Sequence, residues 1–328
     1  MLEKIFKETI EKYKMLEKND KIILAISGGP DSVFMLYQFY HIQKEYKLKL
    51  FCAHFNHALR KEADEDEKFV KELSSNLGIK FISEKKEVSK FAKNDSIEQV
   101  ARNLRFDFLL KCSRELKAKK IALAHHKDDV VETILMRFIR GSGLKGLQGI
   151  MPVIKFKGIF FIRPLINIRK TEILDWLEKN NILYKIDKTN FEDKFFRNKI
   201  RLKLIPILEE LNPSVVDTIY NTSRLISLDY EFIYNFSKER YNQIKKQYGK
   251  NYIKLNVEEL KKNSLSIILN ILRIAIEELK GNTRKLDLRH FEEIIDLIYN
   301  RPDFSIVDLP DLEVKKENPW LVIKTLLF

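Results

Sequence analysis

Cysteine is almost missing from this chain: Cys52 and Cys112 are the only two in 328 residues. Without a CxxC pair they supply neither a disulfide framework nor a zinc knuckle of their own, and two buried, reduced thiols are expected. Long apolar runs are missing too. The most apolar later stretch, residues 265–276, is interrupted by Asn270 and Arg273, and it is shorter than the roughly 20 residues a bilayer helix needs. The N-terminal segment sets Leu2, Ile5, Phe6 and Ile10 at helical spacing among Lys and Glu, with no continuous apolar segment and no small-residue cleavage site. Neither a secretory signal nor a membrane partner is expected, and a cytoplasmic address follows by elimination. Acid is in deficit: 47 Asp and Glu face 60 Lys and Arg, a formal charge of +13. A polyanionic partner fits that excess, yet Lys, Ile, Asn and Phe are abundant throughout, so charge alone discriminates little.

What is present is a globular composition, 45% hydrophobic and 33% charged, over a length that suits two domains. Residues 21–26, 49–55, 80–82 and 120–124 read as strands; residues 33–46, 63–77 and 97–116 read as the helices between them. Strands alternating with helices predict an α/β domain, a parallel sheet sandwiched by helices. Ligands bind such sheets at the carboxyl ends of the strands, which directs attention to segments 27–32, 54–60 and 125–129. Beyond Asn212-Pro213 the pattern turns mainly helical (215–246, 264–280, 291–299), with short extended segments near 307, 312–315 and 321–327. The division expected is a catalytic domain over residues 1–212 and a mainly helical second domain over 213–328.

The segment IILAISGGPDSVFML is a strand, a glycine turn and a helix start. Gly28 and Gly29 allow positive φ and close backbone approach, and Pro30 suits a first helical turn. The free amides near Ser32, the helix dipole and the Ser27 and Ser32 hydroxyls favour an anion. Asp31 makes sense among phosphates if it holds a metal ion, Mg²⁺ being the natural one; an ordinary capped turn is the other reading. No Gly-Lys-Ser/Thr follows, so this is not a Walker loop. GxGxxG at residues 141–146 follows a helical run rather than a strand and fails as a dinucleotide fingerprint.

The loop is similar to that of the N-type ATP pyrophosphatases, and five further blocks narrow the resemblance: HFNHALRKEADED from His54, SIEQVARNLRFDFL from Ser96, ALAHHKDDVVETILMRFIRGSGLKGLQGI from Ala122, RPLINIRKTEI from Arg163, and DKTNFEDKFFRNKIRLKLIPILEELNP from Asp187. In type and order they resemble the tRNA(Ile)-lysidine synthetase family over about two-thirds of the chain. The resemblance implies a PP-loop fold, ATP as substrate with Mg²⁺, L-lysine, and the isoleucine tRNA with a CAU anticodon. It also implies a C-terminal tRNA-binding domain and, by analogy, a homodimer. The base would be adenylated with release of pyrophosphate and then attacked by lysine. A PP-loop tRNA thiolase and a non-catalytic nucleotide-sensing RNA-binding protein are the alternatives. Cys52 and Cys112 lie outside any thiolase motif.

Site residues follow block by block. Ser27, Gly28, Gly29, Pro30, Asp31 and Ser32 would hold ATP. Ser96 and Gln99 have capping-box spacing, and Glu98, Arg102 and Arg105 form one polar stripe of the same helix; solvated Glu–Arg pairs are the plain reading, but the resemblance places Arg105 at the active site. Asp128 and Asp129 sit at a helix start, and Asp129 shares a face with Glu132. With His125 and His126 beside them zinc is a second reading, but adjacent histidines point their rings apart. The resemblance assigns Asp129 and Glu132 to holding lysine's amine, with His54, His57, Arg60, Glu98, Arg102, His125, Asp128, Asn190, Asn198 and Arg201 toward lysine or tRNA. Lys194, Arg197, Lys199, Arg201 and Lys203, interleaved with Phe195 and Phe196, suit RNA phosphates and bases or a solvated helix face; Arg197 is expected at the reactive intermediate or the tRNA.

Overall fold

A computed structural model describes residues 1–59, 62–91, 96–186, 196–246, 249 and 251–326. The chain forms two compact units, Met1–Arg224 and Leu225–Phe328. Asn212 ends a short helix, and the units divide further on, inside the 30-residue helix Val215–Ile244.

In the first unit, α1 (Leu2–Lys12) precedes β1 (Lys21–Ala25), α2 (Pro30–Tyr46), β2 (Lys49–Asn56), α3 (Ala63–Asn76), β3 (Lys80–Lys85), α4 (Ile97–Leu116) and β4 (Lys120–Ala122). The helix α5 (Lys127–Ile139), the short α6 (Leu144–Leu147), the hairpin β5 (Val153–Phe156) and β6 (Ile159–Ile162), and α7 (Lys170–Lys179) complete its sheet layer. The strand order is β3-β2-β1-β4-β6-β5, parallel except for β5, which runs antiparallel to β6. β1 and β2 are almost continuously apolar because helices cover both faces. One face packs Phe6, Phe34, Phe39 and Leu177, and the other packs Phe51, Phe108, Leu109 and Cys112. Both thiols are buried, and burial raises Cys52 to about 12 and Cys112 to about 11.

Lys21–Ala25 pairs with Lys49–Ala53 on one side, and Ile22–Leu24 with Lys120–Ala122 on the other. The chain steps outward from β1 to β3, and α4 then carries it back to place β4 on the far side of β1. That reversal opens a crevice where the loops after β1 and β4 diverge. The capping box expected at Ser96 does not form: the Ser96 side chain makes no cap bond, and Gln99 instead donates to Asn103 Oδ1 at 2.9 Å.

A run of helical segments, α8 (Phe196–Lys199), a π-helical stretch Ile200–Leu204, α9 (Ile205–Leu211) and α10 (Val215–Ile244), follows. In the second unit the expected terminal strands form, with Tyr252–Asn256, a five-stranded antiparallel sheet. Its order is β7 (Lys245–Lys246), β8 (Tyr252–Asn256), β11 (Trp320–Thr325), β10 (Leu312–Glu317), β9 (Ile306–Leu309). The helices α11 (Val257–Lys261), α12 (Leu265–Lys280) and α13 (Leu288–Tyr299) share a core with it through Ile271, Ile294, Val314 and Ile323. Asn270, buried within α12, donates to Ser266 O at 2.9 Å, and Arg273 lies over the Phe291 ring, so both interruptions of that apolar stretch are accommodated. Among the described residues no helix is long and apolar enough to cross a membrane.

Candidate active site at the sheet switch point

The loop after β1 is held by its own hydroxyls. Ser32 Oγ accepts from the amides of Ser27 and Gly28, each at 3.2 Å, and donates to Gly29 O at 2.9 Å; the Ser27 hydroxyl lies 3.2 Å from it. Gly28 has φ +92°, and a Cβ there would stand 3.2 Å from Val70 Cγ2, so both conformation and space call for glycine. Pro30 opens α2 with Asp31 in its first turn, leaving that turn's amides at the positive end of a 17-residue helix. The Lys185 amide donates to Gly28 O at 2.9 Å and ties the segment after α7 to the loop.

A cavity of about 570 Å³ opens here, within the ordinary range for ligand pockets. Ser27, Asp31, Ser32, His54, His57, Arg105 and His125 all line it, as their places in the sequence suggested. His54 is buried with Nδ1 2.9 Å from Ile26 O, and burial lowers its pKa. Glu98 and Arg102 stand exposed on α4 and are not among the residues lining the cavity, though Arg102 is near enough to Arg105 and Arg163 to act on their charge. Arg60 and Asn190, with the rest of the DKTN block, lie outside the described residues.

The loop after β4 brings the carboxylates. His126 caps α5, and its amide donates to Asp129 Oδ2 at 3.0 Å. Its buried imidazole sits 3.4 Å from Asp128, 3.5 Å from Asp129 and 3.8 Å from Asp31. Burial would lower its pKa, but Asp129, Asp128 and Asp31 prevail and raise it. Burial likewise works against ionised Asp129, yet His126, Arg197 and His125 hold it down at about 2. His125 shows the opposite balance: burial, aided by Arg163, Arg105 and Arg197 against Asp129, pushes it down to about 3, leaving a neutral ring.

Glu132, 1% exposed, receives Arg197 Nε at 2.6 Å and Arg201 Nε at 2.5 Å, while Arg197 Nη2 reaches Asp129 Oδ1 at 2.9 Å. Arg201, expected toward lysine or tRNA, faces the carboxylates, where a nearly buried Glu132 requires compensation. Phe196 is not an outward base-stacking ring: it packs among Val130, Ile134 and Ile200, with Arg140 over its face. Asn198 is buried on the same helix. Asp128, also expected toward lysine or tRNA, is engaged by neighbouring groups of the fold. Its oxygens accept from Arg169 Nε at 3.0 Å and the Lys170 amide at 2.8 Å, which pins the start of α7; against burial, His126 first and then these two partners hold its pKa well below the usual carboxylate range.

Lys170 and Arg163 are the residues sequence reasoning passed over. Lys170 Nζ donates to Asp31 Oδ1 at 2.5 Å, across 139 positions of sequence. Arg163, at the end of β6, is 8% exposed; Nη1 donates to Met151 O at 2.7 Å, Nε has no partner among the described residues, and burial pushes it down to about 10. For Arg163, a basic residue directly after the apolar strand β6 was the available signal; Lys170, at the start of α7, carried none.

No group of three or more His, Cys, Asp or Glu residues among those described is arranged to hold a metal alone. Mg²⁺ bridging phosphates needs only one or two carboxylates, since it keeps much of its water. Asp31, part-exposed at the loop, fits that more modest demand.

A glycine turn at a helix N-terminus with an internal carboxylate, facing a second acidic loop across a sheet switch point, defines a PP-loop nucleotide-binding domain, and the PP-loop domain family matches residues 2–208. The chain belongs to the tRNA(Ile)-lysidine synthase family, ligases built on this ATP-using domain. It is 38% identical to the tRNA(Ile)-lysidine synthase of Caldanaerobacter subterraneus subsp. tengcongensis, over 99% of this chain and 69% of that protein. It is 34% identical to that of Clostridioides difficile, over 92% and 66%. The chain thus spans about two thirds of the length of these relatives. In fold it also resembles the U34-tRNA thiolase NcsA of Methanococcus maripaludis, with a TM-score of 0.58 and 21% identity over 69% of this chain and 78% of that one.

Proposed function

We propose that the chain ligates L-lysine to the wobble cytidine of the CAU-anticodon isoleucine tRNA, converting AUG reading to AUA reading. The observation that carries this is the acidic pair Asp129 and Glu132, clamped by Arg197 and Arg201, with His126 standing between Asp129 and the loop carboxylate Asp31.

In the first step the C2 oxygen of cytidine bonds to the α-phosphorus of ATP, the bond from that phosphorus to the bridging oxygen breaks, and pyrophosphate leaves. Donors fixed in advance at the loop and the start of α2 meet charge as it develops on the leaving phosphates. Mg²⁺ at Asp31 would neutralise phosphate charge. In the second step lysine's ε-nitrogen bonds to C2, the bond from C2 to its oxygen breaks, and AMP leaves with that oxygen. Asp129 and Glu132 would receive the lysine ammonium in exchange for Arg197 or Arg201, and its amine must lose a proton before attack. Neutral His125, lining the cavity, is the group suited to accept a hydrogen bond there. Arg105 faces the same cavity and suits phosphate; His54 and His57 line its β2 side.

Residues from 213 onward are assigned to tRNA binding, Arg60, Asn190 and Asn198 to the substrate, and the protein to the cytoplasm. A homodimer is supported by Leu225, Leu228, Phe232 and Phe236, large apolar side chains exposed on α10. Against a thiolase stand the buried thiols, held in separate cores with raised pKa values. Incubation with ATP, Mg²⁺, labelled lysine and CAU tRNA is expected to give tRNA-linked lysine and equimolar pyrophosphate. If no lysine is incorporated while ATP still binds, the tRNA reaction is wrong and the nucleotide site stands.

A further inference from the structure

The glycine corner at residues 141–146 is no dinucleotide fingerprint, but it has a structural use: it turns the chain from α5 into α6 and fixes it there. Gly141 has φ +79°, a Cβ on Gly146 would collide with the Ser142 side chain, and Arg137 Nη1 donates to Gly146 O at 2.8 Å and to Gly149 O at 2.9 Å. What this braced corner holds outward is apolar. Phe138 is 68% exposed, Ile139 54% and Leu144 42%, and none of them lines the catalytic cavity. Single exposed apolar side chains are ordinary, whereas several on one rigid turn form a patch of the kind that marks an interaction site. Ile139 lies two turns beyond Glu132 on the same side of α5, about 10 Å along the axis. The helix that buries the carboxylates therefore emerges close to them as this patch.

Charge selects the partner. Residues 133–171 contain eight Lys and Arg and no Asp or Glu. Arg140, exposed directly after Phe138 and Ile139, lies over the Phe196 ring. The formal excess also belongs almost wholly to this unit: residues 1–224 hold 43 Lys and Arg against 31 Asp and Glu, and residues 225–328 hold 17 against 16. A second copy of the chain would bring like charge to the contact. An RNA strand offers flat bases to the ring and phosphates to the cations.

We propose that the α5–α6 corner is a base-stacking platform: Phe138, with Ile139 and Leu144 beside it, takes unpaired nucleotides that adjoin the reactive cytidine, and Arg140 meets their phosphates. This rests on the tRNA reading and adds to it a contact outside the catalytic cavity.

The test measures binding of a CAU anticodon stem–loop RNA, and of a fully paired duplex of equal length, to the full chain by fluorescence anisotropy. Wild type, Phe138→Ala, Phe138→Trp and Arg140→Gln are compared, with ATP affinity followed by calorimetry. Phe138→Ala is expected to weaken the stem–loop at least fivefold, to leave the duplex and ATP within twofold, and to keep the wild-type salt slope, because stacking carries no charge. Arg140→Gln should instead lower that slope by about 0.7–0.9, one phosphate contact. Phe138→Trp should hold the stem–loop as tightly as wild type and show quenching of its added indole by that RNA. Unchanged stem–loop affinity in Phe138→Ala overturns the proposal, as does an equal loss for the duplex or an unquenched Trp at position 138. A Phe138→Ala protein that changes mass in light scattering but not RNA affinity gives the patch to self-association and overturns it too. A wild-type protein that binds the stem–loop but makes no lysidine removes the ligation reaction alone, and the variants still decide the platform. One that binds neither RNA removes both.

Discussion

Glu132 is a nearly buried acid with two guanidiniums on its oxygens, so its removal is felt twice. In Glu132→Gln the amide keeps the shape but cannot balance Arg197 and Arg201. Because those side chains are 35% and 36% exposed, the stability cost should be about 1–3 kcal/mol, below the roughly 3–5 kcal/mol of a fully buried broken pair. Urea unfolding measures that, and the lysine KM should rise at least tenfold; unchanged kinetics would remove Glu132 from the lysine site. His126 makes a pH prediction. Its folded pKa lies above the ordinary value of about 6.5. The imidazolium's stabilisation is therefore complete below about pH 6.5 and is lost as pH rises through the raised value. Asp129 acts at the other end, its contribution present above about pH 3.9 and lost as pH falls toward the folded value near 2. Thermal melts across pH should show His126→Gln losing the wild-type decline on the alkaline side; an identical decline in both proteins would show that His126 does not cause it. At this scale the sequence marked Asp129 and Glu132 by their helical spacing. It could not mark Lys170 or the diversion of Asp128 to Arg169, because those partners meet only through the sheet.

The clamp on Glu132 depends on an irregular element. Within Ile200–Leu204 the Ile205 amide donates to Ile200 O, a π-type bond, and Pro206 follows directly. Proline has no N–H for Leu202 O and its ring crowds that carbonyl, which displaces the helix from α register. Pro206→Ala restores the donor and is expected to draw the stretch toward α geometry, turning Arg201 away from Glu132. The measurement is the lysine KM, expected to rise severalfold with little change for ATP; if lysine and ATP constants both stay at wild-type values, the π-helical stretch is not positioning Arg201. Gly28→Ala tests the other loop. The strain at φ +92° and the close Val70 contact should cost about 1–2 kcal/mol, visible in Tm, together with weaker ATP binding. The strands and helices of the first unit were legible from their alternation, since buried parallel strands are plainly apolar. The β5–β6 hairpin and Tyr252–Asn256 were not, being short and carrying no period long enough to read.

At the scale of the whole chain, a formal charge of +13 predicts tRNA binding that weakens steeply with salt. The slope of log affinity against log salt should be roughly 0.7–0.9 per phosphate contacted. Filter binding at several salt concentrations gives the number, and a flat response would mean the positive charge is solvation alone. Arg197 and Arg201 should contribute little to that slope, since their charge is spent on Glu132 and Asp129. For self-association, Phe232→Lys is expected to shift a dimer to monomer in light scattering, because it sets a charge on an exposed apolar face of α10; a wild-type protein that is already monomeric would dispose of that assignment.

Local chemistry settled what the sequence alone could settle. A glycine turn after a buried strand makes an anion site wherever the rest of the chain goes, and a carboxylate inside it distinguishes this loop from a Walker loop. Tertiary structure decided the partners. Reversal of strand order beside β1 set His126, Asp128 and Asp129 against Asp31, and α7 brought Lys170 to the loop from 139 residues away. Charges so distant in sequence have no periodicity linking them; only the closing of the sheet makes them neighbours, and their energies depend on the burial that closure creates.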